Sequence, residues 1–445
     1  MSGNRYNLSS ASLVGHLQGK GMQQEQQELE ANERPLVPMM AMKSYSGLTS
    51  QNEPEGWPGP SDEVANPNRA ATTASKAKRV KVRPALEPSG FQKMVRFARG
   101  LISMLRRPIV MKDYPIHLQL ESTDACNLNC TTCSRDILIE KASLLDGTLW
   151  RRIIDEMRPT NINVSGIGEP FLHPDIYEII SYAKSRGASV NCATNFTRIR
   201  DNHKMLVECG IDQLKVSIDA VNPETFRLIR GEDSWQEIVD NIRKVNHWKE
   251  KLGSATPSVR FNFALQQFNY LQCVDLVELA RELNVDGIYY QFLSYVDMED
   301  RKGILTGTMS RDKLLELINE SDRRARKYGI QTNLDLWHRD FDMFWNKMQP
   351  LAEYEGNEKH CYMPWISTWL GADGWVRPCP VMPWTLDEGR MGHLGTQSFA
   401  EIWNGDKYRE LREALKRGER PTRSCKTCYP QDLYNVVSIK SKLLP

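Results

Sequence analysis

Short β-like runs alternate with helical segments from residue 114 to about residue 300. Apolar residues recur at every second position in the β-like runs and at every third or fourth position in the helical segments. Because a helix separates most strands from the next, the pattern predicts an α/β fold with a parallel sheet curved into a partial barrel. The predicted strands are Ile116–Thr123, Asn161–Ser165, Ser189–Thr194, Gln213–Asp219, Val259–Gln266 and Gly287–Phe292. The predicted helices include Leu149–Met157, Asp175–Arg186, Glu224–Ile229, Trp235–Trp248 and Leu271–Leu283.

The predicted strands alternate polar with apolar residues, whereas strands buried on both faces are usually continuous apolar runs. In the first strand, Leu118 and Leu120 lie on the side opposite Gln119 and Glu121. The apolar side must pack on the helices, so the polar side lines the inside of the sheet. A packed barrel interior would be apolar, so the polar side chains predict a cavity for a polar ligand. The alternative, an antiparallel sheet with one solvent-exposed face, agrees poorly with the helices predicted between the strands. Candidate substrate contacts or acid–base groups in this interior are Glu121, Lys215, Arg260, Asn262, Tyr289 and Gln291.

Residues 1–88 have the composition of a disordered tail. They contain Gln/Glu runs, scattered Pro and Gly, and an Ala/Thr/Ser stretch that ends in basic residues between Lys76 and Arg83. Such a segment buries too little apolar surface to offset the entropy lost on ordering. We interpret the basic run as a solvated linker, with contact to nucleic acid or to a membrane surface as the alternative.

A basic amphipathic helix is predicted over residues 89–110. Apolar residues recur at helical spacing from Phe91 to Leu105, basic residues lie on the other faces, and Pro108 ends the pattern. We expect this helix to dock on the folded domain that follows it, with a membrane-surface helix as the alternative.

Charge balance and the absence of targeting patterns narrow the class of protein. The 445 residues contain 58 Lys and Arg against 56 Asp and Glu, whereas a nucleic-acid-binding domain is usually basic. The first residues, MSGNRYNLSS, lack the pattern of a secretory signal, and no stretch approaches the ~20 apolar residues of a spanning helix. We therefore expect a cytoplasmic protein with reduced thiols, no transmembrane segment and no nucleic-acid partner.

Seven of the ten cysteines fall into groups. Cys126, Cys130 and Cys133 follow the first predicted strand directly, at the end where α/β barrels bind ligands. In a reducing compartment, grouped thiols favour a metal over a disulfide. A four-iron cluster normally takes four thiolates, so three would leave one iron open; zinc with a remote fourth ligand is the alternative.

The spacing C-x3-C-x2-C after the first strand resembles the signature of the radical S-adenosylmethionine (SAM) superfamily. Segments at the ends of later strands resemble the same family in the same order: Ser165–Pro170 (SGIGEP), Thr194–Asn195, Ser217–Asp219 and Arg230–Gly231. The resemblance implies a partial (β/α)6 TIM-like barrel over residues 111–300. It also implies a [4Fe–4S] cluster on the three grouped cysteines.

By the same resemblance, SAM would bind the open iron through its amine and carboxylate. Gly168 and Glu169 would receive the methionine amine, and Asn195 would lie at the SAM site. Ser217 and Arg230 would bind the ribose and carboxylate region of SAM.

One position departs from the family. An aromatic residue often precedes the third cysteine of the motif and helps to cover the adenine, but here that position is Thr132. Phe196, which replaces the family's glycine at the next strand end, either compensates or packs locally.

The resemblance also implies a reaction. One electron from the reduced cluster, supplied by a flavodoxin- or ferredoxin-type reductant, would cleave SAM to methionine and a 5′-deoxyadenosyl radical. The radical would abstract hydrogen from a small polar substrate or a peptide in the interior. The protein would orient the reactants and exclude water.

Four more cysteines lie toward the C-terminus. Cys361 and Cys379 flank a short predicted hairpin, and Cys425 and Cys428 form a C-x2-C pair, a spacing that fits a zinc ribbon or an iron–sulfur site equally. Three segments of this region resemble the SPASM/twitch extension of radical SAM enzymes: CYMPWIST, DGWVRPC and the later IW…R…R. The number of cysteines in this region, four, is similar to that of the twitch form of the extension. This resemblance implies one auxiliary [4Fe–4S] cluster. We expect a connecting helical segment over 301–350 and a small α+β SPASM/twitch domain over 351–445.

An auxiliary cluster ligated by four cysteines suits electron transfer, and thus a two-electron oxidation (dehydrogenation). Glu121, Lys215, Arg260 and Tyr289 are the candidate catalytic residues. A peptide-modifying maturase or an epimerase is the alternative within the family. An epimerase must return a hydrogen atom, commonly from a thiol, but Cys192 is expected to point to the helix layer. The rival from another class is a non-catalytic zinc-binding interaction protein.

Overall fold

One ten-stranded sheet organises the fold. The computed structural model describes residues 90–292, 307–348, 361–380, 388–422, 424–425 and 428. The predicted tail over 1–88 lies outside these residues, as do parts of the predicted connecting segment and C-terminal domain. The strands are β1 His117–Leu120, β2 Asn161–Val164, β3 Ser189–Thr194, β4 Gln213–Ser217, β5 Ser258–Leu265, β6 Gly287–Phe292, β7 Gln331–Thr332, β8 Ser367–Leu370, β9 Trp375–Arg377 and β10 Gly392–His393.

The strand order is β10–β9–β8–β1–β2–β3–β4–β5–β6–β7. Neighbouring strands from β8 to β7 are parallel, whereas β9 is antiparallel to both β8 and β10. Helices connect the successive parallel strands, so the predicted α/β partial barrel is confirmed. The helices are α1 Gly90–Arg106, α2 Arg135–Leu138, α3 Gly147–Met157, α4 Ile176–Ser185, α5 His203–Glu208, α6 Pro223–Arg230, α7 Trp235–Leu252, α8 Cys273–Glu282, α9 Arg311–Tyr328, α10 Leu334–Met348, α11 Met363–Ile366, α12 Phe399–Trp403 and α13 Asp406–Lys416. In the described part of the chain, none of them is long and apolar enough to cross a membrane.

The register aligns polar side chains in rows across β4, β5 and β6. Lys215 lies beside Arg260, and Asn262 lies between Ser217 and Tyr289. Lys215, Arg260 and Asn262 are partly buried, and Tyr289 is 37% exposed. The alternate apolar residues of the same strands are at most 2% exposed and pack into the core: Leu214, Val216, Val259, Phe261, Phe263, Leu265, Ile288 and Tyr290. The polar side of the sheet therefore faces an interior that solvent reaches.

The short hairpin predicted between Cys361 and Cys379 is present as β8 and β9, but two additions to the barrel sheet are not predicted by the local pattern. The connecting segment, predicted as helical, also contributes β7, which pairs with β6. The C-terminal region contributes β8, β9 and β10, and β8 pairs in parallel with β1. Without β8, one edge of β1 would present a row of unpaired backbone groups. The C-terminal region therefore continues the barrel sheet rather than forming a separate layer.

The segment that joins α1 to β1, residues 108–113, is held by side chains of the C-terminal region, and we call it the strap. Three of these side chains donate to strap carbonyls: Trp365 Nε1 to Pro108 O at 2.8 Å, Arg412 Nη1 to Ile109 O at 3.1 Å and Trp403 Nε1 to Asp113 O at 3.0 Å. Asn404 makes two further bonds, because it accepts from Met111 N at 2.8 Å and donates to Met111 O at 3.0 Å. The strap thus fixes the start of β1 against the C-terminal region.

Arg412 is the charged member of this network and, like Trp403, is fully buried. Its Nε donates to Pro364 O at 3.0 Å, and its guanidinium stacks on Trp403 at 4.3 Å and on Tyr408 at 4.9 Å from the ring centroids. Burial lowers the pKa of Arg412 to about 10. The side chain joins the strap to α11, which begins two positions after Cys361.

Replacing Asn404 with alanine should destabilise the protein. The change removes both side-chain bonds to the backbone of buried Met111, at a cost of about 2 kcal/mol. Thermal unfolding of the cluster-containing protein would measure the loss. Glu410→Ala is the matched control, because Glu410 is exposed on α13 and has no hydrogen bond or ion pair within the described residues. Equal melting temperatures for the two variants would contradict the role of the strap.

Candidate active site

The cysteine loop, residues 126–133, follows β1 at the carboxyl edge of the sheet. On one side, Thr131 N and Oγ1 donate to Ile229 O in α6 at 3.0 and 3.1 Å. On the other side, Glu169 N donates to Ala125 O at 2.8 Å. The loop is therefore fastened both to the end of α6 and to the segment that follows β2.

Each of the three sulfur atoms in the loop accepts a contact from an N–H group. The pairs are Cys126 Sγ with Asn195 Nδ2 at 3.9 Å, Cys130 Sγ with Arg230 Nη1 at 3.5 Å and Cys133 Sγ with Arg135 N at 3.4 Å. Donors of this kind stabilise thiolates and tune the sulfurs that bind a cluster. The donor set therefore fits an iron–sulfur cluster.

Burial and crowding favour the protonated thiols of Cys126 and Cys133 in the absence of a metal. Burial, followed by the neighbouring Cys130 thiol, raises the pKa of Cys126 to about 12, and burial also raises the pKa of Cys133. Metal ligation reverses this effect because it deprotonates the thiol. Within the described ranges, no group of three or more His, Cys, Asp or Glu side chains could hold a single metal ion. A four-iron cluster binds each thiolate through a different iron, so its ligands lie farther apart than those of one ion.

Two glycines after β2 are required by close packing. A Cβ on Gly168 would meet Thr123 O at 2.3 Å and Ala125 O at 2.5 Å, and a Cβ on Gly166 would lie 2.0 Å from Glu121 Oε1. A side chain at Gly168 would displace the backbone that leads into the cysteine loop. The Gly-x-Gly-Glu segment therefore supports that loop directly.

Glu169 is held rigidly beside Cys126. Its Oε1 accepts from Thr194 Oγ1 at 2.7 Å and from Phe171 N at 3.1 Å, and its Oε2 accepts from Asn195 N at 2.6 Å. Burial raises the pKa of Glu169, against the opposing effect of these donors. Asn195 links the carboxylate to Cys126, because its N–H donates to Glu169 Oε2 and its Nδ2 contacts Cys126 Sγ at 3.9 Å. The position of the carboxylate suits an incoming cationic group such as an ammonium.

Asn195, at the end of β3, belongs to the same network. Its Nδ2 also donates to Asn127 Oδ1 at 3.1 Å, and its Oδ1 accepts from Thr197 N at 3.0 Å. Phe196 adopts a left-handed backbone with φ +63° and is fully buried in the core. Of the two interpretations of Phe196, local packing therefore holds. Thr132 is partly exposed in the loop.

Arg230 and Asp219 form the buried charge pair of the site, with side chains 12% and 3% exposed. Asp219 Oδ1 also accepts from Ala264 N at 2.7 Å. Burial disfavours the charged guanidinium, but the Asp219 carboxylate and the nearby Cys130 and Cys126 sulfurs together outweigh it, so the pKa of Arg230 is raised. Among the described residues, Arg230 Nε has no hydrogen-bond partner, which leaves one donor for an anionic ligand beside Cys130. Ser217, two positions before Asp219, is partly exposed on the polar side.

Lys215, Arg260 and Tyr289 lie together on the polar side of β4, β5 and β6. Lys215 has no hydrogen bond or ion pair within the described residues. Burial, followed by the adjacent Arg260 cation, lowers the pKa of Lys215 to about 8. Arg260 Nη2 donates to Gln331 Oε1 at 2.5 Å, but its Nε has no partner. These side chains bring unused donors to one interior surface.

Glu121 lies apart from these three, at the opposite side of the parallel strands. Its Oε1 accepts from Ile167 N at 2.7 Å and its Oε2 from Ala372 N at 3.3 Å. Burial raises the pKa of Glu121 to about 7, against the opposing effect of the Ile167 N–H. Both oxygens are thus engaged by backbone donors, which join the end of β1 to the segments after β2 and β8. The four candidate catalytic residues therefore fall into two places, with Lys215, Arg260 and Tyr289 on one side of the sheet and Glu121 on the other.

The C-terminal cysteines gather around α11 and the strap. Burial, and then the nearby Cys428 and Cys425 thiols, raise the pKa of Cys361 to about 12, against a hydrogen bond from Met363 N. Burial, and to a smaller extent the nearby Cys379 thiol, raise the pKa of Tyr408, on which Arg412 stacks. Cys428 N donates to Ser424 O at 2.9 Å, which closes the turn of the C-x2-C pair.

Asp219 and Gln266 are site residues to which the sequence prediction gives no role. Asp219 neutralises Arg230, and Gln266 is fully buried with neither Nε2 nor Oε1 hydrogen-bonded. Asp219 lies two positions after the last residue of β4, and Gln266 lies one position after the last residue of β5. Both therefore continue the alternation of polar and apolar residues past the end of the strand. That continuation is the signal by which both could have been found.

Two family models match the chain. The radical SAM superfamily model matches residues 120–247, which include the cysteine loop and the ends of β2, β3 and β4. The model of the SPASM iron–sulfur cluster-binding domain matches residues 361–429, which include all four C-terminal cysteines.

Curated relatives cover most of the same region. The chain is 26% identical over 338 residues to the tungsten-containing aldehyde ferredoxin oxidoreductase cofactor-modifying protein of Pyrococcus furiosus, covering 72% of this chain and 89% of the relative. It is 27% identical over 326 residues to the AdoMet-dependent heme synthase of Methanosarcina barkeri, covering 68% of this chain and 87% of the relative.

Solved structures share the fold. Streptococcus suis SuiB bound to S-adenosylmethionine superimposes with a TM-score of 0.55 at 15% identity, covering 78% of this chain and 79% of SuiB. SuiB bound to the precursor peptide SuiA gives a TM-score of 0.53 at 14% identity, covering 79% of this chain and 78% of SuiB.

These matches agree with the motifs at the ends of β1 to β4 and with the cysteine-containing motifs of the C-terminal region. They favour an enzyme over the non-catalytic zinc-binding protein that was the rival expectation. Enzymes of this kind use SAM, a [4Fe–4S] cluster and an external reductant. The chain belongs to the radical SAM superfamily and carries a C-terminal SPASM iron–sulfur domain.

Proposed function

We propose that this radical SAM enzyme is an oxidoreductase that dehydrogenates a polar substrate bound inside the barrel. Cys126, Cys130 and Cys133 would hold the cluster that binds SAM. When bound, SAM and the clusters supply hydrogen-atom removal from the substrate and an acceptor for the second electron. A flavodoxin- or ferredoxin-type protein would be the reductant. The cysteines proposed for a single auxiliary cluster are Cys361, Cys379, Cys425 and Cys428.

The residues proposed to bind SAM offer charges complementary to its polar groups. Glu169 presents a fixed carboxylate to the amine, next to the turn at Gly168. Arg230 retains an unpartnered Nε for the carboxylate. The partly exposed hydroxyl of Ser217 suits the ribose, and Asn195 links this region to Cys126.

The proposed reaction type rests on Lys215, which we expect to accept a proton from the substrate. Oxidation of an alcohol or amine requires a proton acceptor in addition to hydrogen-atom removal. Lys215 Nζ is unpaired among the described residues, and its pKa of about 8 gives a substantial neutral fraction near physiological pH. Ser217 and Asp219 continue its face of β4 toward Arg230, which contacts Cys130. Arg260 and Tyr289 are proposed to orient the substrate beside Lys215, and Glu121 is kept as a more distant acid–base candidate.

Peptide modification is the second candidate. The SuiB structure with a bound precursor peptide supports it, because this chain shares that fold. Epimerisation is disfavoured, since Cys192 has no exposed surface and packs in the hydrophobic core on the helix side of β3. A peptide substrate would therefore be oxidised or crosslinked rather than epimerised.

Alanine substitutions should separate the two proposed clusters. Anaerobically reconstituted wild-type protein should contain about eight irons, and Cys126→Ala and Cys425→Ala about four each. With dithionite as reductant and no substrate, Cys126→Ala should form no deoxyadenosine, whereas Cys425→Ala should still form it. Mass spectrometry of deoxyadenosine measures the difference. Cys273→Ala is the control, because Cys273 is a buried thiol outside both groups. Equal loss of SAM cleavage in both cluster variants would contradict the assigned roles.

The reaction should depend on neutral Lys215. Its neutral fraction rises with pH through about 8, so product formation should rise with pH below that value and level off above it. Lys215→Arg keeps the charge but cannot accept the proton, so it should lower product formation by about 100-fold while deoxyadenosine is still formed. Polyols, aminocyclitols and short peptides would first be screened for compounds that stimulate deoxyadenosine formation. Wild-type product formation by Lys215→Arg would refute this role.

A further inference from the structure

Helix α1 exposes a continuous apolar stripe on the surface of the protein. Met94 is 60% exposed, Ile102 47% and Leu105 64%, and Val95 and Ala98 are also exposed. These positions follow helical spacing and so lie along one face. From Met94 to Leu105 the stripe extends ~16 Å along the helix. Isolated exposed apolar residues are common, but a contiguous row marks a contact surface.

The stripe is distinct from the face by which α1 docks on the protein. Met104 is 1% exposed and Gly100 is buried, and Phe97 and Leu101 pack against the core. Arg96 Nη1 donates to Arg158 O at 2.9 Å, and Arg99 pairs with Asp113 of the strap at 2.5 Å. The expected docking of this helix therefore uses one face and leaves a second apolar face outward.

Basic side chains predominate around the stripe, and the one acidic residue of α1 and the strap, Asp113, is paired with Arg99. Residues 90–112 contain six basic side chains and no acidic one, although the whole chain is almost balanced with 58 basic and 56 acidic residues. Arg106 and Lys112 are exposed and have no ion-pair partner within the described residues. In the sequence, five further basic residues lie between Lys76 and Arg83, and one acidic residue, Glu87, lies between them and the helix. The exposed basic side chains of α1 and the strap are complementary to an anionic partner.

We propose that α1 lies on an anionic lipid surface. The stripe would insert into the boundary between headgroups and acyl chains, and Arg106 and Lys112 would contact lipid phosphates. Protein interfaces concentrate aromatic residues and methionine at their centres, and of the described stripe residues only Met94 is of such a type. A lipid surface requires no shape complementarity, which suits a convex helix. The enzyme would thus act at a membrane surface.

Vesicle flotation of the full-length, cluster-containing protein tests this proposal. The protein should float with vesicles of equal phosphatidylcholine and phosphatidylglycerol, should not float with phosphatidylcholine alone, and should dissociate as salt is raised. Leu105→Asp should weaken binding at least about tenfold, since it places a charge in the apolar face. Arg106→Glu should weaken it by more than about fivefold, because it removes a headgroup contact and adds repulsion.

Leu271→Asp is the matched control, because Leu271 is 56% exposed but lies between β5 and α8 rather than on α1. It should bind vesicles like the wild type. Thermal unfolding and dithionite-driven SAM cleavage would show that each variant is folded; if Leu105→Asp fails to fold, Ile102→Ser replaces it. Absence of wild-type flotation, or unchanged flotation of the stripe variant, would overturn the proposal. Two other results would overturn it as well. One is a wild-type dimer in analytical sedimentation that Leu105→Asp converts to a monomer, and the other is binding to duplex DNA without binding to vesicles.

Discussion

The backbone ladder between β1 and β8 is the constraint on which the site depends. The strand that carries the cysteine loop pairs on one side with β2 and on the other with β8, in the register His117 to Ser367 and Leu120 to Leu370. Strands in such a ladder lie ~4.8 Å apart, so the two groups of cysteines share one rigid frame. Glu121 extends this connection beyond β1, because its oxygens hold the backbone of both neighbouring segments. Cys361 and Cys379, which flank β8 and β9, are therefore tied to the strand that carries the cysteine loop by backbone hydrogen bonds.

Several charges at this edge of the sheet are only partly compensated by the protein. Among the residues that the structure describes, Glu169 receives N–H and O–H donors but forms no ion pair, and Arg230 keeps an unpartnered Nε despite its bond to Asp219. Burial of such groups costs free energy that a complementary ligand recovers. A molecule that carries an ammonium and a carboxylate on one carbon atom would satisfy both groups at once. The same electrostatic arrangement thus explains both the perturbed pKa values and the affinity expected for an amino-acid ligand.

Local periodicity predicts the first six strands to within a few residues, because alternation in a strand and helical spacing are properties of short segments. The cysteine motifs are likewise local, and their spacing carries the family resemblance. The pairing of β8 with β1 is set by contacts between distant residues, and no local pattern encodes it. Glu121 illustrates the same limit: its polar position is readable from the sequence, but its partners Ile167 and Ala372 are not. Phe196 has a strained backbone where glycine is expected, and only the surrounding core shows why it is tolerated.

The strap and β8 also impose an order on the assembly of the chain. Met111 is bonded to Asn404 across 293 positions, and Ile109 to Arg412 across 303. Contacts of such sequence separation form late, because the entropy of closing the intervening loop opposes them until most of the fold is in place. During synthesis the N-terminal part of the barrel emerges first. The strand that carries the cysteine loop consequently keeps one open edge until the C-terminal region has left the ribosome. The thiols of the loop are made early, whereas the frame that supports them is completed among the last steps of folding.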